Sequence, residues 1–144
     1  MGNLFRADQE IIRDQEYQSL LMYELTVDSN FSAAHFLQGY VGDCERMHGH
    51  NWKVSLTVGA NSLVEIGLCM DFKDIASILD EIVGSFDHRV LNDLKIFKGC
   101  NPTAENLARI IFDLCVEKIK HEDIEILSVT VAESDRYRVT FKNK

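Results

Sequence analysis

The chain has 144 residues, 46% hydrophobic and 26% charged, with one Pro and eight Gly. That is the make-up of one globular domain with its own core, not of a disordered or fibrous polymer. Its formal charge of −8 excludes the basic face of a general nucleic-acid binder, and no apolar run reaches the length of a membrane span.

Residues 1–20 mix charge with scattered apolar positions, compatible with an amphipathic helix or a loose arm, and form an extension of unassigned role ahead of a single domain over 21–144. From Leu21 the pattern has period two. Leu25, Val27, Phe31, Ala33 and His35 alternate with polar residues, which predicts a strand ending at His35. A second strand opens at His48 and places His50, Trp52, Val54, Leu56 and Val58 on one face. Consecutive strands pair antiparallel, so the hairpin brings His35 and His48 to one end of the sheet. Asp71 reads as the N-cap of a helix over 72–83, stopped by Gly84-Ser85, and Asn101-Pro102-Thr103 starts a second helix running toward Ile119. Leu127, Val129, Val131 and Glu133 share one face of a third strand, and Tyr137, Val139 and Phe141 one face of a fourth. The expected fold is α+β: a four-stranded antiparallel sheet in the order ββααββ, with two helices on one face. Segments 21–33, 52–58 and 126–131 are long enough to pair with a neighbour, which invites association into a closed oligomer.

The densest chemistry lies in Cys44-Glu45-Arg46-Met47-His48-Gly49-His50. Alternate strand residues share a face, so His48 and His50 point the same way, with Gly49 expected to leave room between them for an ion. With His35 they make three imidazole ligands, the number expected of a zinc site with an open position. Cys44 has three readings: a fourth ligand closing a structural zinc, a base beside an open one, or a small buried residue. A thiol held beside a dication has its thiolate favoured, which suits it to take a proton. Asp87-His88 is either a carboxylate-oriented proton relay or a surface dipeptide. Glu133 extends an apolar strand face, where a carboxylate calls for a partner such as a planar guanidinium-like ligand edge, unless the strand ends before it. Lys53 and Arg89 are the candidates to meet an anionic substrate, and His121 reads as surface. Cys69, Cys100 and Cys115 lack CxxC spacing and read as reduced packing residues. With no apolar leader or myristoylation motif in residues 1–6, the expected compartment is the cytoplasm.

Six segments together resemble one family. FSAAHFL, CERMHGHNW, MDF, FDHRVLN, NPTAENLA and VAES, in that order over about 22–142, match the 6-pyruvoyltetrahydropterin and 6-carboxytetrahydropterin synthase family of the tunnelling fold, or T-fold. The resemblance implies a zinc ion held by His35, His48 and His50, a catalytic triad of Cys44, Asp87 and His88, and a pterin bound through Glu133, with Thr103 beside it. It also implies 7,8-dihydroneopterin triphosphate as substrate and a homohexamer, two stacked three-subunit barrels, with pterin pockets between subunits, so that Glu133 serves a site whose zinc belongs to an adjacent chain. Family members of the pyruvoyl type place their cysteine six positions before the first His of His-Gly-His. Here the form is the shorter Cys-x-x-x-His-Gly-His of the carboxy enzymes of queuosine biosynthesis, so the resemblance implies release of triphosphate and acetaldehyde. The alternatives are the pyruvoyl product, with release of triphosphate only, and a non-catalytic pterin-binding or assembly module around a structural zinc closed by Cys44.

Overall fold

The computed structural model describes residues 22–144; the expected extension, 1–20, lies outside the described residues. The elements run β1 (Tyr23–His35), β2 (His48–Ala60), α1 (Phe72–Gly84), β3 (Arg89–Val90), α2 (Ala104–Lys118), β4 (Glu125–Ala132) and β5 (Arg138–Lys142). β1 and β2 form an antiparallel hairpin whose register runs unbroken from Tyr23↔Ala60 to His35↔His48. β4 pairs with β2 and β5 with β4, both antiparallel. The four expected strands are thus present, and a fifth adds to them. β3 pairs in parallel with Ala33 and Ala34, giving the order β3-β1-β2-β4-β5.

This order corrects the expectation about edges. Segments 52–58 and 126–131 are interior, since β2 lies between β1 and β4, and β4 between β2 and β5. The open edges are β5 and the part of β1 ahead of Ala33. A second correction concerns Leu127. The register shifts between Thr57, which faces Ser128, and Val58, which faces Ile126. Leu127 is therefore the extra residue of a bulge, and Ile126 takes its place on the buried face with Val129 and Val131.

Asp71 is the expected cap of the first helix, and within Asn101-Pro102-Thr103 it is Thr103 that caps the second. Asp71 accepts from the Lys73 N–H and Thr103 from the Asn106 N–H, each cap worth about 1 kcal/mol. α1 packs on β1, and α2 on β4 and β5. Between helices and sheet, Phe31, Trp52, Leu56, Ile75, Leu79, Leu107 and Ile111 are buried almost completely, at about 1.5–3 kcal/mol for each aliphatic or Phe side chain removed from water. Cys115 belongs to this core, and burial pushes its thiol up to about 12. Cys69 and Cys100 pack half-buried against it.

Candidate functional site

The inner face of the sheet is aliphatic and aromatic until its last layer, where it turns to imidazole. His35 ends β1 directly opposite His48, and His50 stands opposite Ala33. Trp52, fully buried one layer in, presents its ring edge-on to His35 and His50 at 4.9 and 5.0 Å between centroids. Its indole N–H donates to the Ala33 carbonyl at 3.2 Å, so it is held as a rigid floor.

Hydrogen bonds to main-chain carbonyls determine the tautomers of two of the rings. His35 donates from Nδ1 to the Pro102 carbonyl and His48 from Nδ1 to the Arg46 carbonyl, both at 2.7 Å. A carbonyl can only accept, so each neutral ring carries its free lone pair on Nε2. These two Nε2 atoms are 3.0 Å apart, and the Nε2 of His50 is buried without a partner. One ligand atom from each ring falls within 4.8 Å of the others. Lone pairs brought together this way repel, and a buried polar atom left without a partner costs about 1–3 kcal/mol. A cation at the point of convergence removes both penalties, so the donor set fits a divalent metal ion bound by three nitrogens.

Electrostatics keep the rings ready for one. Burial first, and the neighbouring imidazoles after it, lower the His35 pKa from 6.5, against the Pro102 hydrogen bond and the charge of Glu133. Burial also lowers that of His50, with Glu133 opposing. The neutral imidazole is the ligand form. By strand alternation Gly49 lies on the face away from the rings. It therefore does not make room between them, as its place in the motif had implied. Instead it opens the outer face of the sheet.

The Asp87–His88 pair stands at the β1 edge of the sheet, just ahead of β3. Asp87 accepts from the Ser32 N–H and from His88 Nδ1, both at 2.8 Å, and the Ser32 amide, with His88 second, draws its carboxyl below the usual 3.8. His88 adopts a left-handed backbone, φ 55°, which a residue with a Cβ avoids, and its own N–H bonds the Ser32 carbonyl at 2.6 Å. With Asp87 tied to Nδ1, the other nitrogen of His88 is left for chemistry. An open groove of about 470 Å³ runs past it, lined by Ser32, Ala33, Gly49, His50 and Asn51 among others.

Cys44 sits half-buried in a single turn, Asp43–Glu45, of the loop between β1 and β2, and its carbonyl accepts from the Leu37 N–H. The three-histidine cluster does not include its thiol. Among the described residues, no hydrogen bond joins it to Asp87 or His88. Glu133, just past the end of β4, continues the inner face two residues beyond Val131, and its charge reaches His35 and His50 of its own chain. It lines a cavity of about 330 Å³ with Glu105, Arg136, Tyr137 and Arg138. Thr103 caps α2 through its oxygen, one residue after the Pro102 carbonyl that holds His35. Lys53 is engaged by Asp135 at the surface, while Arg89 lines the His88 groove.

Two residues escaped the sequence reading. Asn92 and Asn101 each bind the main chain just after His35. They lie inside FDHRVLN and NPTAENLA, but side-chain amides carry no periodicity that would mark them.

The family model described as 6-pyruvoyl tetrahydropterin synthase matches residues 24–144. A putative 6-carboxy-5,6,7,8-tetrahydropterin synthase of Archaeoglobus fulgidus is 36% identical over 110 residues, covering 76% of this chain and 86% of that protein. A dihydroneopterin monophosphate aldolase of Pyrococcus furiosus is 32% identical over 111 residues, covering 77% of this chain and 90% of that one. The solved 6-pyruvoyl tetrahydropterin synthase of Caenorhabditis elegans superposes with a TM-score of 0.77 at 22% identity, over 88% of this chain and 99% of its own. With no helix among the described residues long and apolar enough to cross a membrane, and with the sheet, caps and histidine cluster in place, the chain belongs to the 6-pyruvoyl tetrahydropterin synthase family.

Proposed function

We propose that the chain is a zinc-dependent carbon–carbon lyase of the cytoplasm, acting in queuosine and related deazapurine biosynthesis. It converts 7,8-dihydroneopterin triphosphate and water to 6-carboxy-5,6,7,8-tetrahydropterin, acetaldehyde and triphosphate. The observation that carries this reading is the convergence of three imidazole nitrogens, in a chain whose cysteine stands in the short Cys-x-x-x-His-Gly-His form. Relatives named 6-carboxy-5,6,7,8-tetrahydropterin synthase, such as that of Bacillus subtilis, 37% identical over 97 residues and 64% of its length, support it.

His35, His48 and His50 would hold the zinc. When bound, the ion supplies a Lewis acid for the oxygens of the pterin side chain. The chain's own groups supply the rest. Cys44 takes a proton from a side-chain carbon next to a developing carbonyl. His88, kept in one tautomer by Asp87, returns a proton to the opposite side. Glu133 accepts the 2-amino and ring N–H donors of the pyrimidine edge, and the Thr103 hydroxyl, its oxygen already accepting from Asn106, offers its proton there.

Glu133 acts on the inner face with the imidazoles, whereas Asp87–His88 stands at the β1 edge and, among the described residues, makes no hydrogen bond to Cys44 or to the three rings. This favours an active site completed by a second chain, in a homohexamer of two trimers whose open β1 and β5 edges meet. Mixing Cys44→Ala with His88→Ala protein after dissociation and reassembly then restores part of the activity. Active protein of native mass near 16.4 kDa would contradict it.

The deciding experiment incubates zinc-loaded protein with 7,8-dihydroneopterin triphosphate and identifies the pterin by mass. A pyruvoyl product would reassign it to the pyruvoyl activity. Turnover of dihydroneopterin monophosphate instead would move it to the activity in the Pyrococcus relative's name. Cys44→Ala is expected to keep zinc and lose turnover, whereas loss of zinc and fold together would favour a structural zinc.

A further inference from the structure

β1 stops at His35, yet the chain beyond it is held as firmly as a strand. Phe36 donates its N–H to Asn92 Oδ1 at 3.0 Å, and its carbonyl accepts from Asn92 Nδ2 at 2.8 Å. Two residues on, Gln38 donates to Asn101 Oδ1 at 2.8 Å and accepts from Asn101 Nδ2 at 2.9 Å. A side-chain amide sets an N–H donor beside a carbonyl acceptor, as consecutive peptide groups of a strand do. The two asparagines therefore extend by two rungs the ladder that β3 begins at Ala33 and Ala34. Asn101 is tied down in turn. Its carbonyl accepts from Asn106 Nδ2 at 2.8 Å and from the Thr103 N–H at 2.9 Å. Its C-terminal neighbour, Pro102, presents the carbonyl that takes the His35 Nδ1 proton. The N-terminus of α2 thus reaches His35 twice, through the ring and through the backbone after it.

We infer that Asn101 and Asn92 are positioning residues for the metal ligand His35, holding its Nε2 at the point where the other two imidazoles converge. Asn101 has the larger effect, because its displacement also moves the Pro102 carbonyl. The inference rests on the metal reading above, since an imidazole that binds nothing needs no such aim. Partners that orient a metal-bound histidine carry about 10- to 100-fold in affinity, and these amides act one layer further out through the main chain.

The test measures zinc affinity by competition with a chromophoric chelator, together with the visible spectrum of the cobalt(II)-substituted protein, which reports ligand geometry. Asn101→Ala is expected to weaken zinc about tenfold or more and to shift the cobalt bands, and Asn92→Ala to do so by a smaller factor. Thr130→Ala removes the Thr130–Thr140 hydrogen bond on the outer surface and serves as the control. It should lower thermal stability and leave zinc affinity and spectrum unchanged, which separates aim from mere destabilisation. Should Asn101→Ala fail to fold, Asn101→Asp keeps the acceptor for the Gln38 N–H but turns a carboxylate oxygen toward the Gln38 carbonyl, and a weakening of the same order is expected. Affinities within about twofold of the parent, with unshifted cobalt bands, would overturn the inference. A parent protein that binds neither zinc nor cobalt would overturn the metal reading itself, and this one with it.

Discussion

The inner face of the sheet has two ends built on opposite terms. Through Leu25, Val27, Val54, Leu56 and Val58 it is sealed by apolar side chains under the helices, all buried and satisfied by contact alone. At His35, His48 and His50 the same strands, in the same register, bury nitrogen lone pairs against one another. The first end is stabilised by the chain itself. The second is a local deficit that an ion must correct, a pattern in which stability has been given up for function.

Replacing the deficit by grease is the sharpest way to break this contrast. His50→Leu is expected to abolish metal binding and turnover. It should also raise the stability of the metal-free protein by about 1–3 kcal/mol, because the orphan Nε2 is gone. Bound zinc and denaturant unfolding of the chelator-treated protein measure both halves, and a metal-free His50→Leu protein less stable than its parent would count against a deficit at this end. Leu56→Ala tests the other end. It should cost about 2–5 kcal/mol of folding stability with zinc affinity of the folded protein preserved, and coupled losses would erase the distinction between the two ends.

Acidification gives a smaller, graded effect. The folded pKa values of His35 and His50 lie below the ordinary 6.5, so on acidification the unfolded chain takes up protons before the folded one. Stability of the metal-free protein is therefore full above about 6.5 and is lost as pH falls through the folded values. Its melting temperature should drop between about pH 7 and pH 5, before the carboxylates titrate, and His50→Leu should show a shallower drop. A flat profile in the parent would mean that the imidazoles are less buried than described.

Much of this was legible because strand and helix patterns repeat. The odd-numbered apolar run to His35 and the even-numbered one from His48 predict the hairpin and the meeting of three histidines at one end of it, and Asp71 and Asn101-Pro102-Thr103 announce their helices. What escaped has no period. β3 is only Arg89–Val90, too short to alternate. The bulge at Leu127 shifts one residue within a run that looks regular. The amide clamps of Asn92 and Asn101 depend on which backbone groups are left unpaired after His35, and that is decided only once the chain has folded. The placement of Asp87–His88 at the β1 edge is of the same kind, since it follows from hydrogen bonds to the Ser32 main chain.

The unbroken register of the hairpin also constrains how such a gene can vary in length. With β1 and β2 paired residue for residue up to His35↔His48, a one-codon insertion or deletion within either arm turns the residues beyond it to the other face and scatters the three imidazoles. The tip between the arms carries no such debt. Around Gly39 and Gly42, both with positive φ, and the exposed Tyr40 and Val41, residues can be gained or lost while Asn92 and Asn101 still grip Phe36 and Gln38. Descendants of this chain should therefore differ in length at the tip and agree in length along the arms.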